Sequence, residues 1–166
     1  MRTAQAKGLL HTAFVCICLI GFAGCGSSPE PAAAPAASAP APAPVADHTS
    51  LFPDKGKVSA TVVPDHILDM KALPGGSLAE YNLNGQKFQE FIIDSDSAQK
   101  AAFMMLDIKD QLKKDPEYIA YMGGYFGMYG DKPVYCFAKQ HYLAGIVGLP
   151  KDKADPLAIG LAAQLY

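Results

Sequence analysis

Residues 58–62, Val-Ser-Ala-Thr-Val, alternate apolar and polar side chains, the period-two pattern of a half-buried strand. Residues 64–73 keep no clean period; a short helix opening at Asp65 fits them, and Pro74-Gly75-Gly76 reads as a turn. Residues 78–83 and 86–93 are strand-like on either side of Asn84-Gly85, a pair that accepts positive φ at both turn positions and so closes two-residue hairpins. Asp94-Ser95-Asp96-Ser97 then offers helix caps, with Gln99 three residues after Asp96 in capping-box spacing. The helix is expected to run to about Lys114, with Ala98, Ala101, Ala102, Met105, Ile108 and Leu112 as its core stripe. Lys113 and Lys114 suit the negative end of its dipole, and Pro116 stops it. Residues 118–122 read as a strand, 123–130 as a glycine-rich aromatic passage, and 134–138 with 142–147 as a second hairpin. Asp155 and Pro156 read as the cap and first position of a last helix that reaches Tyr166.

These elements predict an α+β fold: a two-layer sandwich whose antiparallel sheet of five or six strands carries two main helices on one face. A shift of 54 residues pairs Tyr81 with Tyr135, Gln86 with Gln140, Phe88 with Tyr142, Ile92 with Ile146 and Ile93 with Val147. Each half then reads hairpin, loop, helix, which suggests a duplicated ββα unit.

The N-terminus has a different logic. Arg2 and Lys7 precede a mostly apolar run over residues 9–22, shorter than the roughly 20 residues a membrane-spanning helix needs and ordered like a secretory signal. It ends Phe22-Ala23-Gly24-Cys25, which resembles the lipobox of bacterial lipoproteins, with Phe22 where Leu is usual. The resemblance implies cleavage before Cys25, acylation of its thiol and new amino group, and, with Gly26 rather than Asp next, the outer membrane of a Gram-negative cell, facing the periplasm. Residues 26–47 hold nine Ala and six Pro, a composition that favours an extended tether at ~3.1 Å per residue. The organisation read from the sequence is therefore a leader over 1–24, a lipidated Cys and linker over 25–47, and one domain over 48–166, large enough for a core without disulfides.

Composition narrows the function classes. Loss of the leader removes two of the 14 basic residues and none of the 16 acidic ones, so the mature charge is near −4 and its cations are all Lys. Nucleic acid is therefore not an expected partner, and without Arg bidentate recognition of phosphate or carboxylate is poorly served. Cys136 is the one thiol left beyond Cys25; within the apolar run Val134-Tyr135-Cys136-Phe137 it reads as a buried, inert side chain.

The layout also resembles a family of secreted bacterial proteins described only as a domain of unknown function. The matching residues are Phe91-Ile92-Ile93-Asp94-Ser95-Asp96-Ser97, Ala102-Phe103, Gly124-Tyr125-Phe126-Gly127, Lys139-Gln140-His141-Tyr142 and the final helix over 157–165. The resemblance covers roughly residues 86–166; it implies a fold and an exported compartment, and transfers no catalytic residues.

Candidate chemistry is sparse. His48, His66 and His141 lack the mutual spacing of a metal site. His66 with Asp65 and Asp69 can be a small ligand cluster or an acidic helix start, and the second accounts for the same letters. Asp94 and Asp96 open like a calcium loop but lack its sixth-position Gly and twelfth-position Glu. No Ser lies in G-x-S-x-G, and the glycines of 123–130 match neither phosphate-binding fingerprint. No metal or cofactor is expected, and an enzyme, such as a hydrolase without a readable motif, ranks below a binding role. The final helix carries no charge from Pro156 to Tyr166, so its faces must meet either the core or another protein. The expected function is a non-catalytic binding or assembly module of the envelope. It is held to the membrane through the lipid on Cys25 and meets an envelope protein, or a second copy through the last helix. Tyr125, Phe126, Leu161 and Leu165 are its candidate surface. The alternative is a carrier of a small apolar ligand, with a cavity lined by Phe103, Met104 or Tyr125.

Overall fold

The computed structural model describes residues 44–166; the leader, Cys25 and most of the Ala/Pro segment lie outside them. Seven strands form one sheet: β1 (Lys57–Asp65), β2 (Pro74–Leu83), β3 (Gln86–Asp94), β4 (Lys113–Ile119), β5 (Gly124–Tyr129), β6 (Lys132–Lys139) and β7 (Tyr142–Val147). Their order is β1-β2-β3-β7-β6-β5-β4, and every neighbouring pair is antiparallel. Helix α1 (Ala98–Gln111) carries the chain from β3 to the far edge. From there β4 to β7 meander back until β7 lies beside β3, and α2 (Lys151–Ala162) follows.

Strand alternation sorts side chains onto two faces, and each face has its own core. Phe91 and Ile93 of β3, Val134 and Cys136 of β6, and Leu143 and Val147 of β7 pack with Met104, Ile108 and Leu112 of the α1 region. Their neighbours Phe88, Ile92, Tyr135, Phe137, Ala144 and Ile146 pack with Ala154, Ala158 and Leu161 of α2 and with Leu165 beyond it. The helices therefore lie on opposite faces, not on one. The central strands β3 and β7 are buried from both sides, which is why β7 contains no charged residue.

The expected sheet of five or six strands has seven, because residues 123–130 contain a strand, β5, paired on both sides. The duplication does not extend to this geometry. The first hairpin turns between Leu83 and Gln86, and the second between Lys139 and Tyr142; these turns are two residues out of step with the 54-residue shift. Gln86 begins a strand while Gln140 sits in a turn at φ 53, and two equivalent ββα units could not put their helices on opposite faces.

Local readings divide by how much tertiary context they need. Asn84-Gly85 turns as expected, at φ 54 and 82. Ser97, not Asp96, caps α1, accepting the Lys100 N–H at 3.2 Å. The helix after Asp65 shrinks to one 3-10 turn, Ile67–Asp69, with left-handed backbone at His66, Leu68 and Asp69. Pro74-Gly75-Gly76 is the start of β2 rather than a turn: a side chain on Gly75 would come within 2.4 Å of β1 carbonyl oxygens, so the glycine permits close strand approach. Pro116 sits in edge strand β4, where a register shift between Lys113 and Glu117 takes up the irregularity. Helix α2 opens at Lys151, five residues before Pro156, which is left inside it.

Candidate functional site

The four surface candidates do not form one surface. Tyr125 and Phe126 are successive residues of β5 and point to opposite faces; Tyr125 packs beside the α1 core and Phe126 beside the α2 core. Leu161 and Leu165 are fully buried against the sheet. The outer side of this last segment is carried by half-exposed Ile159 and by Tyr166. Phe103 projects from α1 into solvent, whereas Met104 is in the core. Cys136 is enclosed, and burial pushes its thiol up to about 12, so it stays protonated and unreactive near neutrality.

Folding brings together two histidines that are far apart in the chain. Asp94, at the end of β3, faces His48 from the segment before β1, with Nε2 3.1 Å from Oδ2, and His141 from the β6–β7 turn, with Nε2 4.0 Å from Oδ1. Both imidazoles lie against the Tyr142 ring, with centroids 5.2 and 4.0 Å away. A His–Asp pair can orient a general base, but the adjacent hydroxyls are engaged elsewhere. Ser77 Oγ accepts the His48 backbone N–H at 2.9 Å, and Ser95 Oγ donates to the carbonyls of Ser97 and His141. The cluster ties the segment before β1, the end of β3 and the β6–β7 turn together. His66 stands apart from it, exposed and paired with Asp65 at 2.8 Å. Among the described residues no group of three or more His, Cys, Asp or Glu is placed to hold a metal ion.

A second polar cluster joins α2 to the sheet. Asp155 Oδ1 accepts from the buried Tyr135 hydroxyl at 2.7 Å and from Tyr121. These two hydroxyls hold the carboxyl below its ordinary range. Lys151, one turn earlier, pairs with Glu117 of β4. The residue read as a helix cap is instead the anchor of the helix.

Glu90 carries no motif. It lies between Phe88 and Ile92 on the α2 face of β3, 1% exposed, and its Oε2 has no hydrogen-bond partner. Burial raises its carboxyl to about 7, while the Tyr81 hydroxyl and the Lys57 ammonium offset part of the effect. The sequence does hold a signal for it: a Glu at a position whose same-face neighbours, two residues away on each side, are both apolar.

The open ground is on the other face. Helix α1 packs over β5 to β7, and Ile67, Met70 and Leu73 join the same core from the loop between β1 and β2. Two adjoining clefts, of about 580 and 560 Å³, share Gln89, Lys132 and Val147. The first continues over Glu80, Asn82 and Lys87; the second runs between the His66–Met70 loop and the Tyr129–Lys132 turn. Their combined lining is mixed, with amides and charges beside Val63, Leu78 and Val134. Neither cleft is lined by Phe103, Met104 or Tyr125, and neither reaches the His48–Asp94–His141 cluster.

No family model, no curated protein and no solved structure matches this chain, so what is known of it comes from its own residues and geometry.

Proposed function

We propose that this chain is a lipid-anchored envelope protein whose domain is a non-catalytic binding or assembly module, and that the paired clefts on the α1 face are where it takes a protein partner. The observation that supports this reading most is the shared floor Gln89–Val147–Lys132, which joins two clefts into one trough across the sheet. Each cleft alone has the volume of a small-molecule site. A continuous trough with amides and charges at intervals and apolar patches between suits an extended polypeptide better than a small apolar ligand. The anchor reading rests on the order of charge, apolar run and Phe22-Ala23-Gly24-Cys25; several acyl chains at ~0.8 kcal/mol per buried CH₂ would hold it stably.

The test places a photo-reactive residue at Gln89, at Lys132 and, as a control on exposed α1, at Gln99, in the full chain within cells. Adducts of one mass at both trough positions and none at Gln99 are expected. Equal labelling at all three positions, or none at the trough, removes the trough as the partner surface. Native mass spectrometry of the same protein separates the alternative: a persistent extra mass of a few hundred daltons would mean a small-ligand carrier.

A further inference from the structure

We propose that residues 48–55 form a releasable strap over the α2 face of the sheet, and that proton uptake by the buried Glu90 beneath its edge closes it. The strap is a separate layer. Helix α2 covers β6 and β7 of this face, whereas the 3-10 turn Thr49–Leu51 packs on β1 and β2, and Glu90 on β3 falls between the two covers. Few bonds hold the strap. His48 is fixed by its backbone N–H to Ser77 and its imidazole to Asp94. The Pro53 carbonyl accepts from Tyr81 at 2.7 Å, and the Phe52 carbonyl accepts from Lys57 at 3.1 Å. Phe52 supplies the main apolar contact, 2% exposed in the core that contains Tyr81, Phe88 and Ile92.

Under this cover one carboxyl oxygen is buried with no donor, an arrangement that tolerates a neutral acid far better than an anion. The groups facing Glu90 do not neutralise it. Beside it on β2 is Tyr81, whose hydroxyl is committed to Pro53; from the start of β1 comes Lys57, whose ammonium is shared with the Phe52 carbonyl and with Asp54 at 2.7 Å. The register partners on β2 and β7 are Ala79 and Ile146. From α2, Asp155 is held by Tyr135 and Tyr121, and Lys153 reaches Gln86 at the start of β3. Opening the strap hydrates the carboxylate, so release is favoured as Glu90 loses its proton. At the start of the strap, His48 and His141 both face the Asp94 carboxylate. Release would bare the apolar strip of Phe88 and Ile92 and add eight residues to the segment before β1, about 26 Å of reach at full extension.

Hydrogen exchange of the full chain in detergent, from pH 5 to 8.5 and corrected for the intrinsic pH dependence of exchange, tests this directly. The amides to follow are His48, Thr49, Leu51 and Lys57, each bonded within or beneath the strap. Their protection is expected to fall on the order of 100-fold across this range as a carboxyl raised from 4.5 to about 7 ionises, and to lie well below that of the β7 amides at every pH, because the strap opens without global unfolding. In Glu90→Gln strap protection should stay high and flat, and in Asp94→Asn it should be lower at every pH with the slope retained. A wild-type strap whose protection is independent of pH overturns the proposal, whether or not either variant folds. So does a strap as strongly protected as β7 at every pH, which would mean that it opens only by global unfolding, or a pH slope that survives in Glu90→Gln.

Discussion

At the scale of single residues, the informative positions are those where a side chain contradicts its surroundings. Glu90 is one, and its effect on global stability has a definite sign. Its folded pKa, about 7, lies above the 4.5 of the free side chain, so the folded state keeps a proton that the unfolded chain gives up. The associated stability is complete below about pH 4.5 and is lost as pH rises through 7. Denaturation in urea should show the wild type weaker at pH 8 than at pH 5 by about 2–3 kcal/mol from this group, since each tenfold change in proton affinity is worth about 1.36 kcal/mol. Glu90→Gln should abolish most of that difference. Gly145 is another such position: a Cβ there would lie 2.2 Å from the Tyr135 carbonyl oxygen and 2.7 Å from the Phe91 ring. Gly145→Ala should therefore cost about 2 kcal/mol or more, because the flanking strand β6 and the Phe91 side chain of β3 must both shift; an unchanged melting temperature would contradict that packing. Glu90 was legible in principle from its apolar same-face neighbours. The meeting of His48, Asp94 and His141 was not, since 46 or more residues separate each pair; the β3–β7 pairing brings in His141, and the bond to Ser77 on β2 brings in His48.

At the scale of elements, hairpins and the first helix follow from local chemistry, and the last helix does not. Asn84-Gly85 and the caps of 94–97 act through bonds a few residues long, so their letters place the turn and the helix start, but not which of the four caps is used; Ser97→Ala should cost about 1 kcal/mol, read as a shift in the urea midpoint. For α2 the same local rules place the start at Asp155-Pro156, but the helix begins at Lys151. Asp155 is drawn instead to Tyr135 on the sheet and Tyr121 in the β4–β5 turn, a partnership invisible in a window of ten residues. Removing the buried donor with Tyr135→Phe should cost about 1 kcal/mol and slightly loosen α2, visible as faster exchange at its amides. The earlier start also changes the reading of the helix itself. Its first turns carry Lys151, Asp152, Lys153 and Asp155, and its apolar residues Ala154, Ala158 and Leu161 face the sheet. Leu161→Asp should unfold the domain rather than release a partner, with loss of cooperative melting as the readout, because it places an unpaired charge in the α2 core.

At the scale of the whole molecule, the proposed lipid anchor, strap and trough lie in different parts of the chain and can be tested separately. Cys25→Ser should move the full chain from the membrane pellet to the soluble fraction and abolish palmitate labelling; retention of either would overturn the lipid anchor. Among the described residues no helix is long and apolar enough to cross a membrane. The amino-acid sequence by itself determined the strands that alternate, the tight turn at Asn84-Gly85, the capped helix after Ser97 and the burial of Cys136, because each depends on periodicity or on contacts within a few residues. Tertiary structure alone decided which face each helix covers. The chain leaves β3 and β7 in different directions, and alternating residues on both strands are apolar on both sides, so the sequence allows either layering. It also decided the pairing of β5 on both edges, the place of Glu90 beneath a cover, and the trough between the β1–β2 loop and the β5–β6 turn. Each of these depends on which surfaces remain after seven strands have found their order.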